Sequence, residues 1–382
     1  MDTMKRLLII SPSLKLPGGV SNYVNLLIKQ FEKKEYNIKV LEIGKTHSFY
    51  KNVFYPLNIL IQFFKLKKII KEFNPDIIHM NPSLQYISLF RDFLFLQSIK
   101  KTKIPLLFFI HGWNISLNKK FKNPFFKRFL KKEFSLTSKI VVLSSRFKDE
   151  LISLNISAEK IYVSSTMVES EKYYTSKKKF QRPFQLLFCS TIKKEKGPFK
   201  LLGSAPRILR LYPDTRFIFV GDGKDLELLK ESAKKMGIQN QITFTGYVSP
   251  KRKIEIFKKS HIFIFPSTHG EGFPTVILEA MAAGLALITT PNAGIEDAII
   301  DNKDGLIIKN IKNAEPEIAK KIIQLFENPS LLAEMSNNNI RRAKNEFSTQ
   351  VISNNIATIY NELINANSKE NIGEKRNEDN LD

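Results

Sequence analysis

The 382-residue sequence predicts an α/β protein of two domains, each built on a mostly parallel β-sheet. Short apolar runs alternate with amphipathic helical patterns, which is typical of parallel strands covered by helices on both faces. A polar, lysine-rich stretch at residues 169–183 ends in proline and interrupts this alternation, which then starts again. A chain of this length is also too long for a single hydrophobic core. We therefore expect one domain on each side of a linker at residues 169–183.

The first half predicts a Rossmann-like domain over residues 1–168. Helical patterns fit between its strands; for example, Val24, Leu27 and Phe31 lie on one face of a helix predicted at residues 20–31. Six apolar runs predict strands at residues 7–10, 38–43, 76–80, 105–110, 139–144 and 161–165.

The second half repeats this organisation and predicts another Rossmann-like domain over residues 184–345. Its strands are predicted at residues 185–190, 216–221, 242–246, 261–266, 285–290 and 305–308, and helical patterns follow at 314–326, 331–345 and 348–364. Sheets of this kind bind ligands at the carboxyl ends of their strands, so we expect a ligand-binding cleft between the two domains. Residues 365–382 have almost no apolar side chains and are predicted to be disordered.

The composition excludes several classes of protein. Cys189 is the only cysteine, so no disulfide can form within the chain, and it lies in an apolar run where a packed thiol is expected. The N-terminal apolar run is too short for a signal peptide, and no run reaches the ~18 apolar residues of a membrane-spanning helix. The histidines lack zinc-site spacing and no Asp-x-Asp motif is present, so no metal or other cofactor is expected. These features predict a cytoplasmic protein.

Positive charge is concentrated in the first half of the chain. The formal net charge is +23 overall. Residues 1–180 hold 32 Lys and Arg against 13 Asp and Glu, whereas residues 181–382 hold 28 against 24. This distribution predicts a polyanionic partner for the first half.

The segment 119–134 (KKFKNPFFKRFLKKEF) favours an anionic membrane surface as that partner. Basic amphipathic helices lie on such surfaces, where each cation contributes ~1 kcal/mol near the lipid. The alternative is an ordinary helix that buries Phe126, Phe129 and Leu130 in the core. The predicted membrane or acceptor surface consists of Lys119, Lys120, Lys122, Lys127, Arg128, Lys131 and Lys132, and a second basic face consists of Lys65, Lys67, Lys68 and Lys71.

The most informative stretch is residues 261–290, which predict a strand, a glycine-containing loop, a helix and a second strand. Glu271 lies in the loop and Glu279 in the helix, so two carboxylates lie near one strand-to-helix turn. Taken alone, Glu271 is compatible with a solvated loop charge and Glu279 with an ordinary helix-surface residue.

The start of this helix predicts an anion-binding site. Pro274 is expected at the first helical position, where its missing N–H costs nothing. The amides of Thr275 and Val276 then point out of the helix toward any anion above it. Free amides on one side and carboxylates on the other suit a ligand with phosphates and hydroxyls, such as a nucleotide sugar.

Three further turns carry candidate ligand-binding residues. Gly18 and Gly19 follow the first strand, Lys196 lies in the turn after the first strand of the second half, and His111 ends the strand LLFFIH. Glycines let a ligand approach the backbone, and a lysine near a helix start can meet a diphosphate. Each is also compatible with a purely structural role: a tight turn, a surface lysine and a packed histidine.

The combined motifs resemble the retaining GT-B-fold glycosyltransferases of family 4. The resemblance rests on the E-x7-E pair within PSTHGEGFPTVILEAMAAG, on FVGDG, FTGYV and DGLII in the second half, and on PGGVSNYV and HGW in the first. It implies the GT-B architecture, in which two Rossmann-like domains have parallel sheets facing across a cleft. It also implies that a C-terminal helix, residues 346–364, returns to the N-terminal domain.

The resemblance implies a role for each matching residue. Glu271 contacts donor-sugar hydroxyls near the reacting carbon, Glu279 the ribose hydroxyls, Lys196 the diphosphate, and His111 the donor sugar and leaving group. Reaction retains the anomeric configuration and needs no metal, because fixed positive charge and amides stabilise the departing diphosphate. The remaining donor contacts are implied at Gly18, Gly19, Thr191, Gly272, Phe273, Thr275 and Val276.

The sequence departs from the family pattern at Thr191. An arginine usually stands there beside the equivalent of Lys196, so its absence puts the diphosphate clamp in doubt unless Lys193 or Lys194 substitutes for it.

The expected function is transfer of a sugar from a nucleotide sugar to a hydroxyl of a glycan or lipid-linked saccharide. The expected setting is cell-surface polysaccharide, lipopolysaccharide or glycolipid biosynthesis at the inner face of the cell membrane. A GT-B nucleotide-sugar epimerase would need further acid and base carboxylates, and a nucleic-acid-binding protein would need a recognised motif with stacking aromatics. A catalytically silent relative remains compatible with Thr191.

Overall fold

The computed structural model describes residues 4–16, 18–34, 36–43, 55–82, 86–112, 123–175, 178–268, 272–292 and 294–378. These residues form two compact units. Unit 1 combines Met1–Thr166 with Thr349–Asp382, and unit 2 is Met167–Ser348.

Unit 1 is built on a six-stranded sheet in the order β2-β1-β3-β4-β5-β6, with every neighbouring pair parallel. Its strands are β1 (Arg6–Pro12), β2 (Asn37–Ile43), β3 (Ile77–Met80), β4 (Leu106–Ile110), β5 (Lys139–Val142) and β6 (Ile161–Val163). Its helices are α1 (Gly19–Glu32), α2 (Tyr55–Phe73), α3 (Tyr86–Lys100), α4 (Pro124–Ser135), α5 (Ser145–Ser153) and the C-terminal helix (Thr349–Glu378).

Unit 2 contains a second six-stranded parallel sheet, in the order β12-β11-β10-β7-β8-β9. Its strands are β7 (Gln185–Cys189), β8 (Arg216–Val220), β9 (Ile242–Phe244), β10 (Ile262–Phe265), β11 (Ala286–Thr289) and β12 (Gly305–Ile307). Its helices are α6 (Ser170–Tyr173), α7 (Pro198–Leu211), α8 (Leu226–Lys235), α9 (Pro250–Lys259), α10 (Thr275–Ala282), α11 (Gly294–Ala298), α12 (Ala314–Glu327) and α13 (Pro329–Asn345).

The predicted fold class is confirmed, since both halves are α/β with parallel sheets. The strands read as continuous apolar runs because helices cover both faces of a parallel sheet. β4 and β10, for example, are buried along their whole length. On α1, the predicted core face is also observed, with Val24, Leu27 and Phe31 buried.

The described part of the segment expected to be a linker, residues 169–175 and 178–183, belongs to unit 2. It contains α6, whose Tyr173 is buried with its ring 5.7 Å from that of Phe257. Lys178 donates a hydrogen bond to the carbonyl of Ser260 at 2.7 Å. The polar composition did not predict these contacts, because they depend on only one buried aromatic ring and one lysine.

The C-terminal helix belongs to unit 1 and packs on α1. The rings of Tyr360 and Phe31 lie 5.4 Å apart, and Gln30 donates to Thr349 at 3.1 Å. Disorder was expected from residue 365, whereas the helix continues to Glu378. Residues 365–378 contain no proline and several good helix formers, so backbone hydrogen bonding continues without an apolar face. Ser368 also donates to the carbonyl of Ile364 at 2.9 Å.

The DGLII motif has a structural role in unit 2. Asp304 is buried, where its carboxylate accepts the amide of Ile300 at 2.8 Å and pairs with Arg342 of α13. Asn339, also on α13, donates to the carbonyls of Leu285 and Asp304, both at 2.7 Å. The aspartate therefore ties β12 to the helix behind the sheet.

A buried carboxyl group in unit 1 leads to a prediction about pH. Glu133 of α4 is buried, and among the described residues its carboxyl oxygens have no hydrogen-bond partner. Burial, and then the charge of Asp92, raises the pKa of Glu133 well above its ordinary value of 4.5. When the pH rises above the ordinary value of 4.5, the unfolded chain holds fewer protons at this position than the folded chain. The stability of the fold should therefore fall as the pH rises.

Glu133→Gln should therefore reduce the loss of stability between about pH 5 and about pH 8. Thermal unfolding of the full chain at both pH values measures the effect, and Glu159→Gln, a change at an exposed carboxylate, is the control. Equal pH dependence in the wild type and in Glu133→Gln would contradict the prediction.

Candidate active site

The sheet of unit 2 has a topological switch point between β7 and β10. The chain passes from β7 to β8 and β9 on one side of the sheet, then returns to place β10 on the other side of β7. The loops that follow β7 and β10 therefore separate at the centre of the sheet. Open α/β sheets bind ligands at this point, outside the carboxyl ends of the strands.

The loop after β7, residues 190–197, is held against the end of β8. The amide of Ser190 donates to the carbonyl of Val220 at 3.1 Å, and the amide of Ile192 donates to that of Asp222 at 2.9 Å. The backbone of the FVGDG motif thus holds the loop by hydrogen bonds.

Lys196 lies where this loop meets the loop after β10. It is half-buried and ends a short 3-10 turn, followed by Gly197 with φ 85°. A Cβ on Gly197 would lie 2.3 Å from the carbonyl oxygen of Pro266, so only glycine allows this approach. From the other side, the amide and hydroxyl of Thr268 donate to the carbonyl of Glu195 at 2.9 and 3.2 Å.

Thr191 is exposed in the same loop. Lys193, which precedes the turn that ends at Lys196, is half-buried, and Lys194, the first residue of that turn, is exposed. The positive charge of this loop is therefore carried by its lysines, since position 191 is an uncharged threonine.

The start of α10 differs by one residue from the prediction. Pro274 has ψ 115° and caps the helix from outside, and the first helical residue is Thr275. Its extended ψ is the conformation of a residue that precedes a helix. The amide of Ile277 donates to the carbonyl of Pro274 at 3.0 Å, whereas the amides of Thr275 and Val276 precede any intrahelical acceptor. The predicted helix start is thus present, displaced by one residue.

The structure describes only some of the residues predicted to bind the donor in the loop before α10. Glu271 lies outside the described residues. Gly272 is half-buried. Phe273 is buried, with its ring 5.7 Å from that of Phe347, so its side chain packs inside unit 2 and only its backbone faces the loop.

Glu279 is buried on α10 and has two partners. The hydroxyl of Tyr173 on α6 donates to its Oε1 at 2.8 Å, and the Nζ of Lys253 on α9 lies 2.5 Å from its Oε2. Burial and the charge of Glu279 raise the pKa of Tyr173, so the phenol remains a hydrogen-bond donor. Three helices are therefore joined at one carboxylate.

Sequence reasoning missed Lys253 and Tyr173. One signal was present, because Lys253 shares a helix face with Ile256 and Phe257, which are both buried. A lysine on an apolar face needs a counterion, and Glu279 supplies it. Cys189, at the end of β7, is a packed thiol; burial raises its pKa to about 12.

In unit 1, Gly18 precedes α1 as its N-cap, and Gly19 is the first residue of the helix. Gly18 caps the helix in an extended conformation that any residue adopts, with φ 168°. A Cβ on either glycine would meet nothing within 4 Å. Neither backbone conformation nor packing within unit 1 therefore accounts for these glycines, which leaves room above the start of α1.

His111 follows β4 and belongs to a buried hydrogen-bonded chain. Its Nε2 lies 2.7 Å from Oδ1 of Asn81, and Nε2 of His79 lies 3.2 Å from the same oxygen. The amide nitrogen of Asn81 donates to the carbonyl of Ile10 at 3.1 Å. At the far end, Nδ1 of His79 contacts the hydroxyl of Tyr360 on the C-terminal helix.

This chain determines the tautomer of His111. A carbonyl can only accept, so the Asn81 amide nitrogen must face Ile10 and its Oδ1 must face both histidines. Both rings then donate through Nε2, and Nδ1 of His111 carries a lone pair. That Nδ1 is buried and has no partner among the described residues. Burial, with the influence of His79, lowers the pKa of His111 to about 3, so the ring is neutral.

The predicted basic surface is only partly described, since Lys119, Lys120 and Lys122 lie outside the described residues. The apolar face of α4 packs within unit 1: Leu130 and Phe134 are buried. Lys127 donates to the carbonyl of Ser153 at 2.9 Å, whereas Arg128, Lys131 and Lys132 are exposed. This helix therefore has the core-facing arrangement of the alternative interpretation, together with a basic outer face.

Among the described residues, the structure contains neither a metal-binding cluster nor a membrane-spanning helix. No group of three or more His, Cys, Asp or Glu side chains in this part of the chain is arranged to hold a metal ion. None of its helices combines the length and the apolar character needed to cross a membrane.

Two family models match the chain, one for each half. Residues 17–172 match the model described as Glycosyltransferase Family 4, and residues 169–342 match Glycosyl transferases group 1. An uncharacterized glycosyltransferase of Methanocaldococcus jannaschii is 27% identical over 94% of this chain and 99% of its own length. The capsular polysaccharide biosynthesis glycosyltransferase CapM of Staphylococcus aureus is 26% identical over 69% of this chain and 72% of its own length.

Solved structures share the fold over nearly the whole chain. Anabaena HepE, in complex with UDP and glucose, has a TM-score of 0.71 at 17% identity and covers 94% of this chain and 100% of its own. Sucrose-phosphate synthase from Thermosynechococcus elongatus has a TM-score of 0.75 at 14% identity, covering 95% and 100%. The two family models together span residues 17–342 and show that the chain belongs to the group 1 and family 4 glycosyltransferases, and the likeness to the solved structures shows their GT-B architecture.

Proposed function

We propose that the chain transfers a sugar, with retention of anomeric configuration, from a nucleotide sugar to a hydroxyl of a glycan or lipid-linked saccharide. The observation that carries this proposal is the meeting of two loops at the switch point of unit 2, where Lys196 and the start of α10 supply positive charge. The capsular role named for the Staphylococcus aureus relative supports cell-surface polysaccharide as the product class.

The donor diphosphate is proposed to bind at Lys196 and at the amides of Thr275 and Val276. A lysine and a helix start both favour phosphate oxygens, and they require no metal. Lys193 and Lys194 supply the further charge that the usual arginine would bring to position 191. UDP is the first nucleotide to test, because HepE is seen in complex with it.

Glu279 is proposed to hold the ribose hydroxyls, and Glu271 the donor sugar. A carboxylate offers about four lone-pair positions, and Tyr173 and Lys253 occupy two of those on Glu279. The remaining two can accept from the ribose while the two partners fix the orientation of the group. Tyr173 and Lys253 are thus positioning residues in this proposal.

His111 is proposed to accept a hydrogen bond from a donor-sugar hydroxyl through Nδ1. Its neutral state and fixed tautomer suit an acceptor, and they exclude a role as a permanent cation at the leaving group. The departing phosphate would then assist deprotonation of the attacking hydroxyl. Gly18 and Gly19 leave space for phosphate or sugar atoms beside the start of α1.

The acceptor is proposed to be held at the inner face of the cell membrane. The excess of Lys and Arg in the first half and the exposed outer face of α4 support an anionic surface as a partner.

A panel of nucleotide sugars tests the proposed function. Slow donor hydrolysis, release of nucleotide and a thermal shift with the matching nucleotide are expected. An epimerised nucleotide sugar as the sole product would favour the epimerase, and the absence of both turnover and thermal shift with every donor would favour a silent relative.

Lys196→Ala should lower kcat/KM for donor hydrolysis about 100-fold, because a fixed cation at the departing diphosphate is lost. Lys235→Ala, which removes an exposed lysine at the end of α8, is the control and should leave the rate unchanged. Equal rates for Lys196→Ala and the wild type would contradict the assignment of Lys196.

A further inference from the structure

Helix α2 of unit 1 has two apolar faces. One face is buried in the unit and contains Ile59, Leu66, Ile69 and Ile70. The opposite face carries four large apolar side chains that are half or more exposed: Leu57 (56%), Leu60 (50%), Ile61 (58%) and Phe64 (65%). The spacing of these four, at i, i+3, i+4 and i+7, places them in one stripe along two turns.

Such a stripe is unusual on the surface of a folded domain. A helix that covers a core normally turns charged and polar residues to water. Single exposed apolar residues are common, but a contiguous patch marks a surface that another body covers. The stripe therefore indicates an interaction site.

Positive charge continues the same face of α2. One and two turns beyond Phe64, the stripe is succeeded by Lys68 and Lys71, with Lys65 and Lys67 at its sides, and all four lysines are exposed. Among the acidic residues, Glu72 of the same helix lies nearby and pairs with Lys68 at 3.7 Å. The face is thus apolar over its first half and basic over its second.

We propose that this face of α2, residues 57–71, docks on the surface of an anionic lipid bilayer. The four apolar side chains would enter the boundary between headgroups and acyl chains, and the lysines would contact lipid phosphates. Helices that lie in the interface plane bind anionic membranes through such a combination of apolar residues and lysines. A protein partner would also cover the stripe, but the row of lysines complements a surface of uniform negative charge.

The inference deepens the proposed function and rests on its membrane-held acceptor. It also places the contact on the helix that carries the second predicted basic face, rather than on α4. The apolar residues of α4 are used for packing: Leu130 and Phe134 are buried, and Phe129 lies 5.1 Å from Phe93. Among the large apolar side chains of α4, Phe125 is exposed.

Vesicle cosedimentation of the full-length chain tests the proposal. The stripe variant combines Leu57→Gln, Leu60→Gln, Ile61→Gln and Phe64→Gln, which keep helix formers at exposed positions. The matched control combines Ile152→Gln, Leu211→Gln, Leu228→Gln and Met236→Gln, four exposed apolar positions on other helices and at helix ends.

At low salt, the wild type and the control should bind vesicles of phosphatidylcholine with phosphatidylglycerol, and the stripe variant should bind at least about tenfold more weakly. Replacing Lys65, Lys67, Lys68 and Lys71 by glutamine should remove the preference for phosphatidylglycerol over pure phosphatidylcholine. Wild-type binding no stronger than that of the stripe variant would overturn the proposal. So would a wild-type dimer that the stripe variant converts to monomer without any change in vesicle binding, since the face would then join two copies.

Donor hydrolysis in solution separates this inference from the proposed function. The stripe variant should hydrolyse the donor at the wild-type rate without vesicles. If the wild type binds vesicles through α2 but hydrolyses no donor, the proposed function fails and the docking surface stands. If hydrolysis is normal and vesicle binding is absent, only the docking surface fails.

Discussion

Gly221→Ala is expected to lower the free energy of unfolding by about 3 kcal/mol or more and to abolish donor binding. Gly221 has φ 128°, and a Cβ there would lie 2.0 Å from the carbonyl oxygen of Ser190. The atoms of Ser190 that a Cβ would meet all belong to its backbone, so no side chain can move to relieve the clash. Relief requires the loop after β7, and Lys196 with it, to leave the end of β8.

Gly237→Ala is the matched control. Gly237 also has a positive φ, 69°, but a Cβ there would meet nothing within 4 Å. Alanine at that position should cost only about 1 kcal/mol, the conformational part of the effect. Chemical denaturation of both variants and nucleotide binding by thermal shift provide the measurements. Similar losses of stability in the two variants would show that the approach of Ser190 to Gly221 is not tight.

Glu279→Gln is expected to destabilise the chain by about 3 kcal/mol and to weaken donor binding. The change leaves Lys253 as a largely buried charge without its counterion, because the Lys253 side chain is only 27% exposed. Breaking one partner of a buried ion pair costs more than the pair contributes, since the remaining charge stays desolvated.

The double variant Glu279→Gln with Lys253→Met separates the two roles of Glu279. Removing both charges should restore much of the stability, because no unpaired ion is left. Donor binding should remain weak if the carboxylate also holds the ribose. Recovery of both stability and donor binding in the double variant would show that Glu279 acts only as a counterion.

The site residues show how far sequence reasoning reaches. The positions of Lys196 and Thr275, after the carboxyl ends of β7 and β10, could be predicted because apolar runs reveal the strands, and such sheets bind ligands at these ends. His111 was found by the same argument. Its neutral state was not, because that depends on Asn81 and His79, whose side chains meet it only in the folded sheet.

The C-terminal helix and α2 show where composition alone misleads. The polar residues after 364 predicted disorder, but a helix needs only its own backbone hydrogen bonds to continue. In α2, the spacing of apolar residues allows two faces, and periodicity does not show which face finds a partner inside the unit.

The sequence by itself determined the parallel α/β fold and its two halves, because buried strands are apolar along their whole length. It also determined the family, because the spacing of motifs is a local property of the chain. Only the tertiary structure decided the partners of Glu279. Tyr173 lies 106 residues away in the sequence, and Lys253 lies on a separate helix. It also decided which face of α2 stays exposed. Both depend on how separate segments pack, and packing is set by contacts that no local pattern encodes.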